Sequence, residues 1–284
     1  MKLWVTGANG LVGTALTKLC EGKIPYVATS HATVDITSLH EIKKFLQSPE
    51  GKGVTHIINC AAYTNVDQAE KEPALAHLVN VVGPENLGNV CRSLDLRLVH
   101  LSTDYVFGSE GGHPFSEDDP CQPVSVYAKT KWEGEQRLQE VFPQACILRT
   151  SWVFGPGGKN FVSAIFEKIQ KEEKIYVSND QRNRVTYVKD LADAILALLC
   201  HSGTFHFANQ GEISRFDVAQ KMVQTARMRG LPVVCREIIG VKAEMFSQGA
   251  KRPLYSVLDT TKIESLGVPN RSWESALTEF FHAV

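Results

Sequence analysis

Three evenly spaced glycines, Gly7, Gly10 and Gly13, follow directly on the apolar run Leu3–Thr6 and open the helical-period segment Leu11–Cys20. A strand that turns sharply into a helix at this spacing needs residues without a Cβ. The turn is tight, the helix packs closely on the sheet, and the backbone must approach a phosphate group. The amides at the start of such a helix then face negative charge. A lone glycine triplet also marks ordinary structural turns, but a position between a strand and a helix inside a βαβ pattern favours a dinucleotide. Gly7, Asn9, Gly10, Leu11, Val12 and Gly13 are the candidate phosphate-side residues.

The alternation continues. Tyr26–Thr29, His56–Cys60, Arg97–Ser102 and Ala145–Thr150 read as strands, rich in Val, Ile and Leu without polar alternation, as in a parallel sheet covered on both faces. Leu39–Gln47, Pro73–Leu94 and Val126–Glu140 read as the helices between them. Past Ser151 the pattern loosens into a Gly155–Gly158 loop, helices over Asn160–Lys171, Asp190–Cys200 and Ser214–Arg229, and a strand over Gly203–Ala208. The expected fold class is α/β, a Rossmann-type doubly wound parallel sheet with a smaller interleaved C-terminal substrate lobe. Residues 1–151 form the dinucleotide-binding domain. Residues 152–284 form mainly the substrate lobe, with about 186–208 returning to the sheet.

Composition excludes several functions. Thirty Lys and Arg against 31 Asp and Glu give a net charge of −1, too little to track a nucleic acid. The 7 cysteines include no C-x-x-C pair, and the 9 histidines no H-E-x-x-H, so neither a zinc site nor a disulfide framework is expected and the metal expectation is none. No signal segment opens the chain, and the longest apolar stretch, Ala194–Cys200, is too short for a membrane. A reducing, cytoplasmic setting is the simplest reading.

The second strand ends in Thr29-Ser30-His31, with no carboxylate to pair with a ribose 2′-hydroxyl or repel a 2′-phosphate. Ser30 is thus a candidate cofactor contact, and NADPH is favoured, with NADH open. Asp35-Ile36 is placed for the adenine end. Asp35 could instead cap the helix at Leu39, a task Thr37 or Ser38 could also perform. Later, Tyr127 and Lys131 stand at i and i+4 of a helix, so a phenol and an ammonium can meet one cofactor. The ammonium would favour the phenolate and bring Tyr127 toward neutral pH. Ser102-Thr103-Asp104 falls at the carboxyl end of a parallel strand. There Thr103 can polarise a carbonyl oxygen, whereas Ser102 is expected to serve backbone hydrogen bonding.

Together these features resemble the extended short-chain dehydrogenase/reductases. The stretches Asn59–Glu70, Ser102–Phe107, Leu148–Gly155 and Lys251–Asp259 are similar to the dTDP-4-dehydrorhamnose reductase family. The resemblance implies NADPH-dependent reduction of the 4-keto group of a nucleotide-diphospho sugar, dTDP-4-dehydro-L-rhamnose to dTDP-L-rhamnose. It makes Tyr127 the proton donor, Lys131 its partner and Thr103 the polarising hydroxyl. It puts Asp104, Tyr105 and Trp152 at the substrate and Ala62, Tyr63 and Thr64 along the cofactor, and it points to a homodimer. Where the family shows Asp-Gln-x-Gly-x-Pro-Thr, this chain reads Asp180-Gln181-Arg182-Asn183-Arg184-Val185-Thr186. Arg182 and Arg184 are either diphosphate ligands or solvated loop charges. Two other functions share the scaffold: a non-catalytic NADP-binding regulatory subunit, and an epimerase or dehydratase with tightly held NAD.

Overall fold

The computed structural model describes residues 1–108, 112–246 and 249–283. Strand β1 (Leu3–Thr6) is wholly buried and leads through the glycine turn into α1 (Leu11–Cys20). Strand β2 (Tyr26–Ala28), α2 (Leu39–Gln47) and β3 (His56–Asn59) follow. Two short helices, α3 (Val66–Ala69) and α4 (Pro73–His77), precede a π-helical stretch over Leu78–Val82 and then α5 (Gly83–Leu94). Strand β4 (Arg97–Thr103), α6 (Val126–Val141) and β5 (Cys146–Thr150) complete the first half.

All pairings in the main sheet are parallel. The chain returns to it much later, at β9 (Gly203–Phe207), so the order is β2-β1-β3-β4-β5-β9. From β1 the chain crosses to β2 on one side and continues through β3 on the other. That reversal opens a crevice at the carboxyl ends of β1 and β3, the place where open α/β sheets receive ligands.

Between β5 and β9 the chain forms β6 (Val153–Phe154), α7 (Phe161–Lys171), β7 (Lys174–Ser178), β8 (Thr186–Tyr187) and α8 (Val188–Ala197). β9 spans Gly203–Phe207 and pairs along the whole of β5. Thereafter come α9 (Arg215–Met228), β10 (Glu237–Val241), α10 (Thr261–Glu264) and α11 (Trp273–Ala283). Two small parallel pairs, β6 with β8 and β7 with β10, frame the second lobe. Its separate core gathers Val162 and Ile169 from α7, Met222 from α9, and Leu277 and Phe280 from α11. Ser214 caps α9 reciprocally with Asp217, as its position before the apolar run implies. Among the described residues, no helix is long and apolar enough to cross a membrane.

One expected helix is interrupted. The run Pro73–Leu94 carries its π-helical stretch just ahead of Pro84, which has no N–H to donate to the carbonyl of Asn80. Gly134 of α6 fits against that carbonyl, where a Cβ would lie only 2.0 Å away. The distortion places the buried Asn80 side chain between the crevice and α6.

Candidate active site

The crevice is a cleft of about 810 Å³ running from the glycine turn to Trp152. Gly7 takes φ +63°, and a Cβ there would meet the Ala61 backbone nitrogen at 2.6 Å. A Cβ at Gly13 would meet the Gly7 carbonyl oxygen at 2.6 Å. Gly10 is the N-cap of α1 and offers no side chain, so the first amides of that helix stay open to an outside acceptor. A cradle this close to bare backbone, ending on free amides, fits a pyrophosphate and would be closed by any side chain.

Gly7, Gly10, Leu11, Val12 and Gly13 all line the cleft. So do Asp35 and Ile36 at one end and Ala62, Tyr63 and Thr64 along the floor. Asn9 lies exposed, away from the lining, and Ser30 is absent from it too. The Ser30 backbone closes a tight turn with Thr33, and His31 and Val34 face the cleft instead. Asp35 does not cap α2: Ser38 does, accepting from the Glu41 amide at 3.3 Å, while Asp35 accepts from the Thr37 amide at 2.9 Å.

Helix α6 brings the catalytic candidates to the same cleft. Ser125 caps it by accepting from the Ala128 amide, and Tyr127 and Lys131 then project from consecutive turns into the lining. Lys131 is buried, with Nζ donating to the Leu101 carbonyl oxygen at 2.7 Å and 3.4 Å from His100 Nε2. Burial pulls its ammonium down from the usual lysine range to about 8. Tyr127 behaves differently from the sequence expectation. Burial pushes its phenol above its ordinary value, and only the Thr103 hydroxyl beside it pulls the other way. With the lysine tied to Leu101, Tyr127 is held protonated, as a proton donor must be.

Thr103 ends β4 with its hydroxyl donating to Asp104 Oδ1 at 3.2 Å and accepting from the Tyr105 amide at 3.2 Å. Ser102 corrects an expectation. Strand pairing with β5 satisfies its backbone, and its buried hydroxyl has no partner among the described residues although the residue lines the cleft. Tyr105 packs edge-on to Tyr127, ring centroids 6.0 Å apart, and Trp152 closes the far end with φ +40°. The Arg215 guanidinium lies over the Trp152 ring at 4.8 Å. Asp104 is buried, and Asn183 and Ser256 both donate to its Oδ2.

Sequence reasoning missed Asn80, although Pro84 just after it was a usable signal. The Asn80 Oδ1 accepts from the Tyr63 amide at 2.8 Å, and its Nδ2 donates to the Tyr63 carbonyl and to Thr130 on α6, both at 3.1 Å. One side chain thus locks the cleft floor to the helix that carries Tyr127 and Lys131. Arg182 and Arg184 lie off the cleft. Arg182 pairs with Asp217 at 3.0 Å and with Glu212, and Arg184 donates to Thr260 at 2.9 Å. Among the described residues no three His, Cys, Asp or Glu side chains are grouped to hold a metal ion.

A doubly wound parallel sheet whose carboxyl edge gathers a glycine cradle, a phenol, an amine and a hydroxyl defines an oxidoreductase of the short-chain dehydrogenase/reductase class. The RmlD substrate binding domain family matches residues 1–284, and the chain belongs to that family. It is 38% identical to a dTDP-4-dehydrorhamnose reductase of Streptomyces griseus, over 99% of this chain and 93% of that one. It is 36% identical to a dTDP-4-keto-6-deoxy-D-glucose reductase of Streptomyces niveus, over 98% and 95%. The structure of a Bacillus anthracis dTDP-4-dehydrorhamnose reductase in complex with NADP superposes with a TM-score of 0.92 at 32% identity, covering 100% of this chain and 99% of that one.

Proposed function

We propose that the protein reduces the 4-keto group of a thymidine-diphosphate sugar with NADPH, and that dTDP-4-dehydro-L-rhamnose is its substrate. The observation that carries this reading is the convergence of Thr103, Tyr127 and Lys131 on the cleft that the glycine turn opens. Both Streptomyces relatives are named as reductases of dTDP-4-keto sugars, which supports the substrate class.

When bound, NADPH supplies the hydride. Gly7, Gly10 and Gly13 would receive its pyrophosphate, and the Asp35-Ile36 end its adenine. The absence of a carboxylate at Thr29-Ser30-His31 leaves room for a 2′-phosphate. The chain's own work is acid catalysis and alignment. Thr103 donates a hydrogen bond to the ketone oxygen as negative charge grows there, and Tyr127 gives that oxygen its proton. Lys131, anchored on Leu101, would fix the ribose side of the cofactor. Tyr105 and Trp152 hold the sugar. The proposed setting is the cytoplasm, where the 7 unpaired thiols stay reduced.

A screen of nucleotide-linked 4-keto sugars with NADPH and with NADH tests this. Fastest turnover is expected for dTDP-4-dehydro-L-rhamnose with NADPH. Tight NADPH binding without turnover of any keto sugar would favour a regulatory role, and isomerisation without added reductant would favour an epimerase.

A further inference from the structure

The carboxylate of Asp104 accepts three side-chain hydrogen bonds, two of them from distant parts of the chain. Asn183 Nδ2 donates to Oδ2 at 2.7 Å and Ser256 Oγ donates to the same oxygen at 2.6 Å. Asn183 also donates to Ser256 Oγ at 2.9 Å, closing a triangle. All three residues are buried, with Asp104 only 2% exposed. The other oxygen, Oδ1, takes the Thr103 hydroxyl at the longer distance of 3.2 Å. Asn183 and Ser256 are held in place by backbone pairing in the second lobe: Asn183 with Ile213, and Ser256 with the Arg182 carbonyl.

This geometry sets a competition for one proton. Thr103 has a single hydroxyl hydrogen; Asp104 Oδ1 lies within its reach at 3.2 Å, and the Tyr127 phenol lies beside the same hydroxyl. To polarise a ketone, that hydrogen has to leave the carboxylate. A carboxylate that already accepts two strong donors is a weaker acceptor for a third and releases it more readily.

We propose that Asn183 and Ser256 are positioning residues that fix Asp104, saturate its outer oxygen and thereby weaken its hold on the Thr103 hydroxyl hydrogen, which the substrate oxygen then takes. The idea rests on the reading of the cleft as a ketoreductase site. It also makes the second lobe a working part of the acid machinery, because Thr103 is tuned only when both lobes meet at Asp104.

Burial raises the Asp104 carboxyl to about 6, against the hydrogen bonds from Ser256, Asn183 and Thr103, which lower it. Among the described residues, Tyr105 on the neighbouring turn, Tyr127 on α6 and Arg215 on α9 are titratable groups in electrostatic contact with it. Removing a donor to the carboxylate favours its neutral form, so its pKa must rise. Once protonated, Asp104 is itself a donor and no longer accepts both partners.

The test uses the full-length variants Asn183→Ala and Ser256→Ala, with Ser256→Thr as the conservative control that keeps a hydroxyl. Each alanine variant is expected to lower kcat at least about tenfold, the scale of a lost hydrogen bond to a charged group. NADPH affinity should stay unchanged. The acid limb of the kcat/KM profile is expected to move up by about one pH unit, and Ser256→Thr to restore it. An acid limb that stays in place in both alanine variants of an active enzyme overturns the proposal while leaving the reductase reading intact. If the unmodified protein turns over no keto sugar, the reductase reading fails separately. Carbon-13 titration of labelled aspartate carboxyls then still decides the linkage: an Asp104 pKa unmoved by Asn183→Ala contradicts it.

Discussion

Lys131 Nζ reaches past Tyr127 to the Leu101 carbonyl oxygen at 2.7 Å, so the amine is moored to β4 while the phenol one turn earlier on α6 stays free to face a substrate. The mooring is deep. His100 lies beneath it with Nδ1 2.9 Å from Asn59 Nδ2, and Asn59 Oδ1 in turn accepts from the Ala61 amide and the Thr6 hydroxyl. Sheet, cleft floor and catalytic helix therefore share one buried hydrogen-bond network.

A buried lysine whose charge is disfavoured gives stability a distinct pH dependence. Lys131 titrates near 8 in the folded chain, against an ordinary lysine in the unfolded one. Between about pH 8 and 10.5 the unfolded state then binds more protons, so this residue's contribution to stability rises with pH. Comparing denaturation midpoints of the cofactor-free protein and Lys131→Met across that window should show wild type gaining relative to the variant. Parallel curves would mean that the ammonium is not held in a disfavoured state.

Gly7 and Gly13 leave no room for a side chain. At Gly7 the obstacle is backbone on both counts: φ is +63°, and the Ala61 nitrogen lies 2.6 Å from where a Cβ would sit, so neither can yield cheaply. Gly7→Ala is expected to cost about 1–3 kcal/mol of stability and to weaken NADPH binding at least about tenfold, roughly 1.4 kcal/mol. Fluorescence titration and a urea melt read the two effects. Wild-type affinity in this variant would disconnect the turn from the cofactor.

Arg149 and Glu135 form a bidentate pair at 2.7 Å under the outer part of the sheet, 3% and 1% exposed. The Arg149 guanidinium also lies over Phe107 at 5.2 Å and Trp132 at 5.5 Å. Removing one partner strands a buried charge, so Glu135→Ala should cost about 3–5 kcal/mol. The expected result is a large fall in the urea midpoint. A loss under about 1 kcal/mol, the scale of a surface pair, would show that water reaches the arginine.

Much of the first lobe was legible because its signals are local. β1, the glycine turn and α1 follow from a few adjacent residues, and the Tyr127–Lys131 spacing places two side chains on one helix face whatever surrounds it. The second lobe was harder. β7 and β10 are five-residue strands with half-exposed faces, too short for periodicity to separate them from loop. The roles of Asn183 and Ser256 depend on contacts 79 and 152 residues away from Asp104, which no local pattern encodes. Ser102 was misjudged for a related reason: whether its hydroxyl finds a partner depends on how β5 pairs beside it.

The most direct measurement compares nicotinamide oxidation by the unmodified protein and by Tyr127→Phe, with NADPH and dTDP-4-dehydro-L-rhamnose. The variant keeps the ring and its packing against Tyr105 but has no proton to give. Turnover is expected to fall at least about a hundredfold, the scale of a lost general acid, with NADPH affinity preserved. Undiminished turnover in Tyr127→Phe would contradict the assignment of Tyr127 as the acid.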